Sequence, residues 1–427
     1  MRSFLLIAIV SIAHAAFSGD AKPVTPADKP SFEPRPGVTK AIPCIDAPDQ
    51  SMDLYLPPQY FKETERKFPV LFISSPNAEP NIDQHIKWAD RQGVILITIN
   101  NSQNGPWAPI FKAQDAVWRT AEVNLRLHPC LRFANGMSGA ACASHVLAAY
   151  HAEHFAGTLM EGQCCTGDKL PKYICVAFIN GDKDPNASVI DISERSLRRH
   201  GNLVQHFIKP GGHIPGSTEE EEKYLDWMID YQRYNHPLLP PEDIARNKAY
   251  VLEQMANAEK LEAAKARFEL LDKMLSIAVF AKAPEAKAHI SGCVKAAADA
   301  SAALTDKKEK YAILSQVVFK DYKNLADSAS KSALEKELGE ARRDPEVKSE
   351  WDADTAYAQV ASAERQAGDN KAALANVSNL YAQIQQQWPN SAAAKKAKDD
   401  ANRLKPGKTN DLNAVAVRPR PDAKTQR

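Results

Sequence analysis

An excess of charge of either sign is missing from this chain. Over 427 residues, 54 lysines and arginines face 53 aspartates and glutamates, a formal net charge of +1. The two signs are interspersed, so the electrostatic footprint of a nucleic-acid binder is missing. Long apolar runs are missing too. The apolar stretch 4–12 is too short to cross a bilayer, and no later stretch is apolar enough to do so. No spacing of histidine, cysteine and carboxylate resembles a metal centre. There is no phosphate-cradling glycine loop and no dinucleotide fingerprint. No metal or cofactor is expected.

Cysteine is sparse, with seven in all, and the first is Cys44, so no lipobox cysteine follows the apolar start. Met1-Arg2, the apolar core and Ala13-His14-Ala15 have the pattern of a cleavable export signal over residues 1–15. Residues 16–41, rich in proline, lysine and aspartate, are expected to be a disordered lead-in. A secreted or periplasmic location permits disulfides. Cys44, Cys130, Cys142, Cys164, Cys165 and Cys175 lie in the first half of the chain. Their connectivity is not legible from spacing, but one of Cys164 and Cys165 is expected to be tethered to another cysteine. Cys175 has the setting of a small buried hydrophobe, and Cys293 is isolated.

Between residues 42 and 235, strand-like runs recur at 52–56, 68–73, 94–99, 131–134, 155–160, 173–179 and 204–208. Helix-like runs at 83–92, 113–127, 140–150 and 190–200 fall between several of them, and 218–232 closes the series. Alternating strands and helices, with continuously apolar strands, predict an α/β fold: a mostly parallel sheet covered by helices on both faces. The acidic run 219–222 has the look of a solvated helix start after Ser217 or Thr218.

Ser138 lies in Asn135-Gly136-Met137-Ser138-Gly139-Ala140, after a strand and before a helix-forming run. A serine hydroxyl becomes a useful nucleophile when a sharp turn holds it out of the sheet, beside a base and over a helix N-terminus. Gly136 and Gly139 make room for such a turn, and Ala140 stands where G-x-S-x-G has its final glycine. Downstream, one strand ends in Gly181-Asp182-Lys183-Asp184-Pro185 and another in Lys209-Pro210-Gly211-Gly212-His213. An acid and a histidine therefore stand at carboxyl ends of strands, where open parallel sheets build their sites. Asp182 and Asp184 compete for the acid role. His206, inside a strand, reads as structural, and His151, His154 and His200 as surface residues.

On these three motifs, the segment 42–231 resembles the secreted α/β-hydrolase esterases related to polyhydroxybutyrate depolymerases and to feruloyl and acetyl-xylan esterases. The resemblance implies Ser138 as nucleophile, Asp184 as acid and His213 as base. It implies an oxyanion hole from the backbone of Gly139 and a second donor from the loop after the strand 68–73. That loop usually begins His-Gly, but here it runs Ser74-Ser75-Pro76-Asn77. Pro76 has no N–H, which leaves Ser75 or Asn77 as donor. Met137 and Trp107 are candidate pocket-lining residues.

Prolines at 237, 240 and 241 mark a linker over 236–241. Residues 242–405 are rich in alanine, lysine and glutamate at helical spacing and predict an all-α region. One helix or two are expected over 242–280, a helix from Pro284, a cap at Thr305-Asp306 and a stop at Gly339. Within 354–404, Gly368-Asp369, Ala373-Leu374, Tyr381 and Trp388-Pro389-Asn390-Ser391 resemble one tetratricopeptide unit. Residues 406–427 are expected to be disordered.

Two functions compete. One is an exported serine esterase acting on a small or polymeric ester, with a helical module for a protein partner. The other is a hydrolase-like binding protein silenced by the altered oxyanion loop.

Overall fold

The computed structural model describes residues 32–164, 170–261, 264–277, 284–304, 306–318, 326–367 and 371–404. The expected export signal and the tail 406–427 lie outside these residues. The chain divides into two compact units, Met1–Ile244 and Ala245–Arg427.

The first unit is built on one eight-stranded sheet. Its strands are β1 (Gly37–Cys44), β2 (Ala47–Leu56), β3 (Phe68–Ser74), β4 (Ile95–Ile99), β5 (Leu127–Met137), β6 (Phe155–Glu161), β7 (Cys175–Gly181) and β8 (Val204–Lys209). Their order across the sheet is β1-β2-β4-β3-β5-β6-β7-β8. β1 pairs antiparallel with β2, and β2 antiparallel with β4. From β4 onward every pairing is parallel. A parallel sheet with this strand order and an antiparallel edge is the α/β-hydrolase architecture.

Successive side chains of a strand point to opposite faces, and here each face meets its own helices. From β3, Phe68, Val70 and Phe72 enter one core layer with Ala113 and Val117 of α3 (Trp107–Asn124) and Leu147 of α4 (Gly139–Tyr150). Ile190 and Leu197 of α5 (Ala187–His200) complete that layer. Leu71 and Ile73 enter the opposite layer with Trp88 of α2 (Ile86–Gln92) and Leu225, Met228 and Ile229 of α6 (Thr218–Asn235). A five-residue helix, α1 (Pro58–Lys62), follows β2.

α6 begins with a capping box, in which the Ser217 hydroxyl accepts from Glu220 N–H and Glu220 accepts from Ser217 N–H. Ser217→Ala is expected to lower stability by about 1 kcal/mol. Urea unfolding followed by far-UV circular dichroism measures it.

Several expectations need correction. β1 starts inside the segment assigned to a disordered lead-in, and it escapes a pattern search because bulges at Thr39/Ile42 and Pro43/Cys44 break its alternation. α3 starts at Trp107 rather than 113, with Pro109 in its first turn, where no intrahelical N–H bond is lost. Glu221, in the run read as solvated, is buried. His151 is not a surface residue: its ring stacks 3.9 Å from Trp118, and burial pushes its imidazole down to about 3. No disulfide joins any two described cysteines. The Cys164 thiol donates to Ser193 Oγ at 3.1 Å, and Cys165, the other candidate for the expected tether, lies outside the described residues.

The second unit is helical. Its helices are α7 (Pro241–Lys260, which starts in the first unit), α8 (Ala264–Ile277), α9 (Pro284–Ala302), α10 (Lys307–Val318), α11 (Ser328–Ala341), α12 (Pro345–Ala367), α13 (Lys371–Gln387) and α14 (Ala392–Leu404). Asp306 caps α10 by accepting from Glu309 N–H, while Thr305 lies outside the described residues. Gly339 sits inside α11, which runs on to Ala341. α12, α13 and α14 share a core of Val360, Val377, Tyr381, Ile384, Ala397 and Ala401, with Trp388 packed against it. Gly368 and Asp369 lie outside the described residues.

Candidate active site

β5 ends at Met137 and α4 begins at Gly139, so Ser138 alone makes the turn. Its backbone has φ +57 and ψ −127, a conformation that costs an L-residue of order 1–3 kcal/mol. Neighbouring main chain secures the strained turn. Ser138 N–H donates to Glu161 O at the end of β6 (2.8 Å), and Ser138 O accepts from Ala141 N–H (3.0 Å). The expected crowding is present: a Cβ on Gly136 would lie 2.4 Å from Ala140 O.

The three motif residues meet at the carboxyl edge of the sheet. The Ser138 hydroxyl lies 2.9 Å from His213 Nε2. His213 Nδ1 lies 2.9 Å from Asp184 Oδ2. The Asp184 side chain is fully buried, whereas His213 is 31% exposed. Asp184 Oδ1 accepts from Asn186 N–H at 2.8 Å, which leaves Oδ2 for the imidazole. That arrangement sets the tautomer: Nδ1–H donates to Asp184, and Nε2 accepts from the serine hydroxyl. Gly162, at φ +61, has no side chain to bar His213 and Asp184, since a Cβ there would stand 2.9 Å from the ring.

Asp182 does another job. Its Oδ1 accepts from Gly211 N–H at 2.9 Å, and its own N–H donates to Lys209 O at 2.8 Å. It braces the loop that carries His213. His206 proves to be tied into the framework, with Nδ1 2.6 Å from Glu194 and Nε2 2.5 Å from Asn180. Asp191, Glu194 and His206 gather within 4.8 Å as the one ion-sized cluster among the described residues. Burial opposes the charge on Glu194, but His206 and Arg198 pull its carboxyl down to about 2. Glu194 and His206 are engaged with one another, and the cluster carries no metal assignment.

Around Ser138 the loops differ from expectation. Ser75 is buried, and its hydroxyl bonds Asn77 Oδ1. Pro76 O accepts from Asn104 N–H at 2.6 Å, which ties the loop after β3 to the loop after β4. The Asn104 carboxamide then lies over the start of α4, with Oδ1 2.1 Å from where a Cβ on Gly139 would be. Asn104 lies in the segment 100–109, which its place after a strand end marks as a pocket candidate, but no motif singles out its carboxamide. Trp107 is not in that loop. It opens α3, stacks on Phe111 and packs with Cys142 and Val146. Met137 is half-buried beside the serine. A cavity of about 470 Å³ is lined by Asp49, Gln50, Asn101, Gln103, Pro109 and Lys112 among others, and none of the three motif residues lines it.

No family model matches the chain, and no curated protein matches it. Solved structures resemble part of it. The S-formylglutathione hydrolase of Staphylococcus aureus is 12% identical with a TM-score of 0.36, covering 46% of this chain and 99% of that one. A feruloyl esterase module from Clostridium thermocellum, complexed with sinapinate, is 12% identical with a TM-score of 0.35, covering 48% and 91%. A ferulic acid esterase is 15% identical with a TM-score of 0.34, covering 42% and 90%.

Proposed function

We propose that this protein is a serine hydrolase that cleaves carboxylic esters through an acyl-enzyme on Ser138. The observation that carries the proposal is His213 bonded at 2.9 Å on one side to Ser138 and at 2.9 Å on the other to a buried Asp184. His213 Nε2 takes the Ser138 proton as Oγ bonds to the ester carbonyl carbon. The tetrahedral intermediate then collapses. The carbon–alkoxy bond breaks, and His213 hands its proton to the departing alcohol. Water repeats the sequence on the acyl-enzyme and releases the acid. The Asp184 carboxylate stabilises the imidazolium that forms.

The oxyanion faces Gly139 N–H at the positive end of α4. The second donor comes from the segment 75–77 or from Asn104, whose carboxamide presents Nδ2 after a half-turn about Cβ–Cγ. Each donor contributes roughly 3 kcal/mol to the transition state. The substrate is an ester of a small molecule or polymer. Export from the cytoplasm and a protein partner for the helical unit belong to the same proposal. Among the described residues no helix is long and apolar enough to cross a membrane.

A silent, binding-only protein is the competing reading, and the engaged Ser75 hydroxyl and the N–H-less Pro76 favour it. A fluorophosphonate probe separates the two. The hydrolase forms a covalent adduct, located on Ser138 by peptide mass spectrometry, and turns over p-nitrophenyl acetate. A folded protein that does neither is the binding protein.

Loop packing makes a further prediction. A Cβ on Gly181 would lie 2.1 Å from Gly212 O and 2.3 Å from Gly211 O, so it must displace the loop beneath His213. Gly181→Ala is expected to lower kcat on the order of 100-fold with a smaller effect on KM. Steady-state kinetics on p-nitrophenyl acetate read both.

A further inference from the structure

Behind the elbow lies a buried polar cluster that the proposed chemistry does not use. Glu161 closes β6 and is 3% exposed. Its main-chain oxygen accepts from Ser138 N–H at 2.8 Å. Its side chain turns to the other face of the sheet, where Oε2 accepts from Gly216 N–H at 2.5 Å. Gly216 ends the loop that carries His213. The same loop is gripped elsewhere by Lys209 Nζ, which donates to Pro215 O (2.5 Å) and Glu220 (3.0 Å). One residue thus holds the nucleophile's turn by its backbone and the base's loop by its carboxyl.

We propose that Glu161 is the positioning residue that sets the distance between Ser138 and His213. It rests on the hydrolase reading above and extends it to a residue outside the triad.

Its surroundings define the protonation state it works in. Glu221 and Glu220 face it from α6, and Lys209 faces it from β8. Glu221 is the better-supplied carboxyl of the pair. Its Oε2 is held by His85 Nε2 (3.0 Å), Asn135 Nδ2 (3.0 Å) and Gln84 Nε2 (3.2 Å). Glu161 has no such set of donors. Burial first, and the Glu221 charge second, hold its carboxyl well above the usual carboxylate range. The clamp on Gly216 is therefore made by a carboxyl whose surroundings favour its neutral form. Ionising it sets two negative charges together in a dry pocket, which loosens the end of the His213 loop. The sign follows from linkage. A carboxyl raised in the folded state weakens folding as pH climbs from its unfolded value toward its folded one.

The test compares Glu161→Gln and Glu161→Ala with the parent, using p-nitrophenyl acetate kinetics, fluorophosphonate labelling rate and thermal unfolding across pH. Glutamine keeps a carbonyl for Gly216 and cannot ionise. It is expected to retain kcat near neutrality and to lack the parent's decline in kcat and stability as pH rises. Alanine deletes the clamp and is expected to lower kcat and labelling rate roughly 10- to 100-fold with KM little changed. Where Glu161→Ala fails to fold, the Glu161→Gln pH profile decides alone. A glutamine profile that overlays the parent, or an alanine variant with parental kcat, overturns the proposal while the hydrolase reading stands. A parent protein inert to both probe and ester overturns the hydrolase reading, and this inference with it.

Discussion

Ser138→Ala protein is expected to fold like the parent and to lose p-nitrophenyl acetate turnover by roughly 10⁴- to 10⁶-fold, because no other group can attack once the hydroxyl is gone. The fold should hold because the costly part of the turn is backbone. Alanine has the same Cβ at φ +57, and the bonds to Glu161 O and from Ala141 N–H are main-chain bonds. Only the hydroxyl contact with a part-exposed His213 is lost. The fluorophosphonate adduct should vanish in parallel. An adduct that survives on the alanine variant identifies a different nucleophile.

The second large effect separates two aspartates two residues apart. Asp184→Asn is expected to lower kcat by about 10⁴-fold. Asp184 Oδ1 takes Asn186 N–H, so an asparagine that keeps this bond must turn its NH₂ toward His213 Nδ1. A donor facing Nδ1 reverses the tautomer and puts the ring proton on Nε2, where it blocks the serine. Asp182→Asn keeps an oxygen for Gly211 N–H and should cost less than about 10-fold. Measuring kcat for both variants decides the assignment, since equal losses would mean that loop integrity, not the imidazole's partner, is what each aspartate supplies.

Both aspartates were visible in the sequence as turn acids after a strand, and only the family resemblance, not local chemistry, ranked Asp184 above Asp182. Spacing within one segment says which residues leave a strand's end. It says nothing about which carboxylate an imidazole 29 residues away will meet. The elbow was more legible because its chemistry is local: a strand, a serine between small residues and a helix follow one another without a gap. The segment 100–109 was legible as a pocket candidate, but the role of its Asn104 carboxamide and the Glu161 clamp were not, for the opposite reason. Each depends on a contact between loops or strands far apart in the chain. Glu221 misled for a related cause, because a run of four glutamates looks solvated unless one knows that His85 and Asn135 wait beneath one of them.

The order of strands and helices, the place of the nucleophile turn and the change to an alanine-rich helical half are written in the chain itself, since periodicity, turn chemistry and composition are short-range properties. Which acid meets the histidine, how the elbow is fastened to the loop opposite and where an ionisable group sits dry were decided only by the sheet. Parallel pairing lays the ends of β5, β6, β7 and β8 side by side, and the free energy of burying a charge depends on what stands next to it in space.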